Sequence, residues 1–178
     1  MTFCVRQEMD LFAAAEKDTE KEFCLDEVTR NIISHITAEA ACPYALHVDI
    51  LLTNDEGMAR VNHERRGINS VTDVLSFPAI VFEIAADFGG INAGSAAFDL
   101  DNEQLILGDI IICVPKIHSQ AALYQHSIKR EYAFLLTHAL LHLLGYHHDD
   151  EDNAAVMEAK EEQILAKVGI SRTDKVKL

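Results

Sequence analysis

The spacing of apolar positions changes repeatedly along the chain, and each change predicts an element. Val28, Ile32, Ile33 and Ile36 recur at helical spacing, which predicts a helix over 26–41 that Pro43 stops. Leu46 to Leu52 sets His47 and Asp49 among Val48, Ile50 and Leu51, the alternation of a half-buried strand. Asn54 is a suitable N-cap for a short helix through Asn62. Asp73 to Phe77 reads as a short strand ended by Pro78, and Leu105 to Val114 as a β-branched run suited to a strand covered on both faces. Lys116 to Tyr124 and Lys129 to Leu144 are predicted helices, with Ser127 as N-cap of the second. That second segment is apolar nearly all round and belongs in the core. A last helix over 153–167 follows the acids Asp149 to Asp152, where the helix dipole favours negative charge. Between 79 and 103, Phe88-Gly89-Gly90 and Asn92-Ala93-Gly94-Ser95 have loop composition, so a mobile insert is expected there.

This order predicts an α+β fold: a small mixed sheet of about four strands, packed with helices around one central helix. The 178 residues read as a single domain over 1–178. The cysteines, Cys4, Cys24, Cys42 and Cys113, form no C-x-x-C pair, which argues against a disulfide scaffold or a cysteine zinc site. No apolar run approaches the length of a membrane span, and the segment holding Glu8 and Asp10 lacks the order of a secretory signal. A soluble cytoplasmic protein is expected.

Charge narrows the picture further. The 29 acids outnumber the 15 bases, giving a net charge of −14, and such a chain is a poor non-specific binder of duplex nucleic acid. Two short stretches break the acidity: His63-Glu64-Arg65-Arg66, and 106–130 with Lys116, Lys129 and Arg130. An anion is expected to bind at a local basic groove formed near Arg65, Arg66 and Lys129.

The sharpest chemical signal is Thr137-His138-Ala-Leu-Leu-His142-Leu-Leu-Gly145-Tyr-His-His148. His138 and His142, four residues apart on a helix, project from one face and suit two ligands of one metal ion. Gly145 lets the helix end with φ above zero, and the returning chain brings His148 as a third nitrogen. Three imidazoles with an open fourth position describe a catalytic zinc site. His147 stands beside His148 as the alternative third ligand. The same spacing occurs in metzincin proteases, which place a glutamate general base after the first histidine. Here Ala139 occupies that place and can move no proton.

These residues resemble the YbeY-type single-strand-specific endoribonucleases of bacteria. Their H-G-x-L-H-L-x-G-Y-D-H stretch is similar to His138 through His148, with Ala139 in place of glycine and His147 in place of aspartate. Asn62 to Pro78, Leu107-Gly108-Asp109-Ile110 and His126-Ser-x-x-Arg130-Glu131 extend the resemblance over about residues 46–167. It implies one zinc ion on His138, His142 and His148, and marks Arg66, with His138, as catalytic. It also implies single-stranded, ribosomal RNA as substrate. With Arg66, the basic residues Lys129 and Arg130 at the start of the histidine helix are the substrate-binding candidates, Arg130 having the alternative of pairing with an acid to fix that helix. Small-subunit ribosomal proteins and assembly GTPases are the further partners expected, and membrane and DNA are not. The lost aspartate removes a carboxylate beside the third ligand, where a metal-bound histidine needs support. Two other readings stand on the residues alone: a zinc hydrolase of another ester or amide, and a ribosome-assembly factor whose zinc is structural, with His147 as fourth ligand.

Overall fold

The computed structural model describes residues 2–9, 23–92, 95–99, 101 and 103–171. Its elements are β1 (Thr2–Gln7), α1 (Leu25–Glu39), β2 (Leu46–Thr53), α2 (Asp55–Arg66), β3 (Val74–Pro78), β4 (Leu105–Cys113), α3 (Val114–Tyr124), α4 (Ile128–Leu143) and α5 (Glu151–Lys167). The four strands form one mixed sheet in the order β1-β2-β4-β3, parallel except for β3, which runs antiparallel to β4 at the edge. The α+β expectation and the strand number are borne out. No described helix is long and apolar enough to cross a membrane.

The alternation along β2 and β4 divides the core in two. Val48, Ile50, Leu52, Ile110 and Ile112 join Ile32 of α1, Leu136 of α4 and Ile164 of α5 in the larger cluster. Leu51, Ile111 and Cys113 point the other way and meet Met58 and Val61 of α2. The C-terminal half of β4 is therefore covered on both faces, as its β-branched run predicts. α4 is the central helix: it packs on β3 and β4 and is flanked by α1, α3 and α5. A buried hydroxyl pair, Thr29 Oγ1 and Tyr132 Oη at 2.7 Å, ties it to α1.

Several boundaries differ from the sequence expectation. β1 is an additional edge strand, in which Phe3 and Val5 are half-buried against the core. α2 runs four residues past Asn62 to Arg66, where Gly67 takes a left-handed conformation (φ 70°) and its N–H donates to His63 O. α3 starts directly off β4, because Pro115 fits a first helical turn. α5 starts at Glu151, with the Asp150 side chain accepting from Asn153 N at 2.8 Å.

The described residues of the 79–103 segment, 79–92, 95–99, 101 and 103, include several that pack against the core. Phe88 and Phe98 are both buried. Phe82 and Phe88 meet edge to face at 5.3 Å, as do Tyr44 and Phe98 at 5.1 Å. Ala86 N donates to Leu144 O, so the insert closes over the end of α4. Its aromatic residues, rather than its glycines, decide its placement.

Candidate metal centre

Both ends of α4 are specified locally. At its start the Ser127 hydroxyl accepts from Arg130 N at 3.1 Å, the expected cap. At its end Gly145, with φ 83°, donates its N–H to His142 O while Tyr146 N donates to Leu141 O, a Schellman closure. The chain thereby turns back and His148 reaches the face that carries His138 and His142. The rings of His138 and His142 stand 4.5 Å apart, and His148 lies 5.5 Å from the first and 5.0 Å from the second. Ligand atoms of the three histidines all lie within 4.8 Å of one another. His147 is exposed and stands outside this cluster.

The outer nitrogens are held. His138 Nδ1 lies 2.7 Å from Glu161 Oε1, and His142 Nδ1 lies 2.9 Å from Tyr146 O. Both partners accept hydrogen bonds, so each Nδ1 carries a proton, the arrangement that in a neutral ring leaves Nε2 for a metal ion. The two Nε2 atoms face each other at 3.0 Å. Two nitrogens about 2.1 Å from one tetrahedral ion stand roughly 3.4 Å apart, so this pair fits a zinc ion with a small adjustment. Burial, and then the neighbouring His138, holds His142 below its ordinary value of 6.5, which keeps it neutral as a ligand must be.

A groove of about 390 Å³ opens beside the histidines, lined by Phe134, Met157 and Ala154 together with His138, His148, Glu158 and Glu161. Ala139, in the position of a peptidase base, is fully buried in the core. The sequence did not single out Glu161, the carboxylate that meets His138. No local spacing links it to His138, 23 residues earlier.

The cationic residues are dispersed. Arg66 is exposed at the last turn of α2 and does not line the groove. Arg65 lies over the Phe77 ring at 6.0 Å and, with Asp49, Glu64 and Asp109, lines a cleft on the sheet face that carries α2. Lys129 lines a different cavity, beside Phe23 and Glu27. The expected common groove of Arg65, Arg66 and Lys129 is therefore corrected: Arg65 and Lys129 serve separate surfaces. Lys129 and Arg130 also precede His138 by nine and eight residues, about 14 and 12 Å along the helix axis. Arg130 is only 7% exposed and pairs with Glu162 at 3.3 Å, an internal brace between α4 and α5. This is the pairing with an acid that the sequence left open for Arg130.

The model of the family Endoribonuclease YbeY matches residues 12–169. Endoribonuclease YbeY of Agathobacter rectalis is 41% identical over 165 residues, covering 92% of this chain and 100% of the relative. That of Lachnospira eligens is 38% identical over 164 residues, covering 88% and 97%. The solution structure of TM1509 from Thermotoga maritima shares the fold, with a TM-score of 0.54 at 18% identity, over 94% of this chain and 89% of that one. The match of sequence over nearly the whole domain, and of fold beyond it, places this chain in the Endoribonuclease YbeY family.

Proposed function

We propose that the protein is a zinc-dependent, single-strand-specific endoribonuclease of the cytoplasm that acts in ribosomal RNA maturation, including late small-subunit rRNA processing. The observation that supports this most directly is the trio His138, His142 and His148, with the outer nitrogens of the first two already engaged. The relatives' name, Endoribonuclease YbeY, supplies the reaction class, cleavage of an RNA phosphodiester bond.

In this reading the three imidazoles hold the ion and leave a fourth position to the substrate. When bound, zinc supplies Lewis-acid polarisation of a phosphoryl oxygen. The exposed Arg66 guanidinium clamps the phosphate through two parallel hydrogen bonds and stabilises the charge that develops on it. The buried methyl of Ala139 leaves the peptidase base without a substitute at that position, which disfavours amide hydrolysis. His147, outside the cluster, leaves a closed four-histidine structural site without its fourth ligand. Small-subunit ribosomal proteins and assembly GTPases are the protein partners that go with this role.

The test combines metal analysis with cleavage. Purified protein should contain one zinc per chain and cut unstructured RNA; chelation should abolish cutting and added zinc restore it. Casein should remain intact. Cleavage that persists undiminished in the metal-free protein would sink the proposal.

A further inference from the structure

We propose that Glu161 is the positioning residue of the metal centre. From outside the ligand set, its carboxylate fixes His138 with the proton on Nδ1 and the Nε2 lone pair turned to the ion. The inference rests on the metal-binding part of the functional reading and on none of its RNA chemistry.

The first support is an anomaly of burial. On α5, Met157, Glu161, Ile164 and Leu165 follow one another at helical spacing, and all four are buried, Glu161 at 5% exposure. Glu161 thus holds a core position in an otherwise apolar stripe, where an unpaired carboxylate is costly. Two cations on or paired with the same helix are engaged with other acids: Lys160 with Glu39 at 2.9 Å, and Arg130 with Glu162 at 3.3 Å. What faces Glu161 is the imidazole of His138, at a charge-assisted hydrogen-bond distance of 2.7 Å. A metal ion held at Nε2 of that ring would supply the compensating charge through the imidazole.

The second support is direction. Glu161 Oε1 sits on Nδ1, whereas Nε2 of His138 faces Nε2 of His142. The carboxylate therefore lies behind the ligand and outside the cluster of three histidines. His142 is oriented by a main-chain carbonyl, that of Tyr146, which no side-chain substitution removes. His138 depends on a side chain from another helix. The residues 160–162 bind three different partners, Glu39, His138 and Arg130, so α5 is clamped to α1 and α4 in the register that this contact requires.

The experiment measures zinc binding, by competition with a chromophoric chelator, and the His138 tautomer in the metal-free protein, by nitrogen NMR. Glu161→Gln keeps an acceptor and loses the charge; Glu161→Met loses both and fills the same space, so the domain should stay folded. Zinc affinity should fall about 10- to 100-fold in Glu161→Met and by a smaller factor in Glu161→Gln. His138 should be Nδ1-protonated in the wild type and a mixture of tautomers in Glu161→Met. Asp152→Asn, which changes an exposed acid in the first turn of the same helix, should bind zinc as the wild type does. Wild-type affinity in Glu161→Met overturns the proposal. So does loss of zinc in Glu161→Gln as complete as in His138→Ala, which would make Glu161 a ligand. Failure of the wild type to bind zinc overturns it together with the metal centre. Normal zinc binding without RNA cleavage overturns only the ribonuclease reading.

Discussion

Gly145 packs directly against Phe82: a Cβ atom at Gly145 would lie 2.7 Å from Phe82 Cβ. The residue that turns the chain back toward His142 is therefore also the seat of the docked insert. Two independent constraints, a φ of 83° and a wall of aromatic side chain, fall on one position.

Gly145→Ala should consequently cost more than an ordinary left-handed glycine. The strained backbone contributes about 1–2 kcal/mol and the overpacking about 1–3 kcal/mol more. Gly67, with φ 70° and nothing within 4 Å of its would-be Cβ, is the control, and Gly67→Ala should lose only the backbone part. Urea denaturation of the metal-free proteins gives both values. Zinc affinity should fall in Gly145→Ala alone, because the turn that delivers His148 is displaced. Equal destabilisation of the two variants would mean that the Phe82 contact yields freely.

The assignment of the third ligand separates two adjacent residues. His148 lies within the cluster and His147 outside it. His148→Ala should release zinc at neutral pH, and His147→Ala should keep most of it. Metal content after dialysis decides, and an exchange of the two behaviours would move the ligand to His147.

Stability should also depend on pH through Glu131. This side chain is 3% exposed and lies 3.0 Å from His126 Nε2, and burial, then the charge of Asp73, pushes its carboxyl from 4.5 up to about 7. The native state thus binds this proton more tightly than the unfolded chain. The resulting stabilisation is fully present below pH 4.5 and is lost as the pH rises through about 7. Glu131→Gln, which stays neutral, should gain on the wild type by up to roughly 3 kcal/mol across that window, at about 1.4 kcal/mol per tenfold change in proton affinity. Melting curves from pH 4 to pH 8 test it; a constant difference between the two proteins would show that Glu131 does not titrate there.

What the sequence made legible was local. The histidines, Ser127 and Gly145 lie on one continuous helix and its turn, where spacing alone fixes which side chains meet. The alternating faces of β2 and the covered half of β4 were legible for the same reason. Contacts between distant segments were not. Glu161 reads in sequence as one more acid of an acidic helix. Only the pairing of α5 with α4 shows it to be buried against His138. The lost aspartate at His147 suggested a missing carboxylate, and the structure supplies one to His138 from α5. The glycines of the insert suggested looseness, yet Phe82, Phe88 and Phe98 bury enough apolar surface to dock it. β1 escaped notice because an edge strand of six residues carries little pattern until β2 is beside it.

The functional reading is most exposed at Arg66. Gly67 ends α2 directly behind it, and the following segment leads into β3, which packs on α4, so the chain running from Arg66 is anchored beside the helix that holds the metal ligands. The side chain itself is exposed, and among the described contacts it is committed to no acid. Removing it should therefore leave folding and zinc content nearly unchanged. Arg66→Ala should cut RNA about 100- to 1000-fold more slowly, the usual loss for one well-placed donor to developing charge. Arg66→Lys should recover only part of the rate, since an ammonium keeps the charge but lacks the two-pronged geometry. Arg65 stacks over Phe77 on the sheet face that carries α2, so Arg65→Ala should lose far less. Single-turnover cleavage, run beside zinc analysis and melting curves, separates these effects. Wild-type cleavage by Arg66→Ala would remove the phosphate clamp from the mechanism and leave the charge on the phosphate to the metal centre alone.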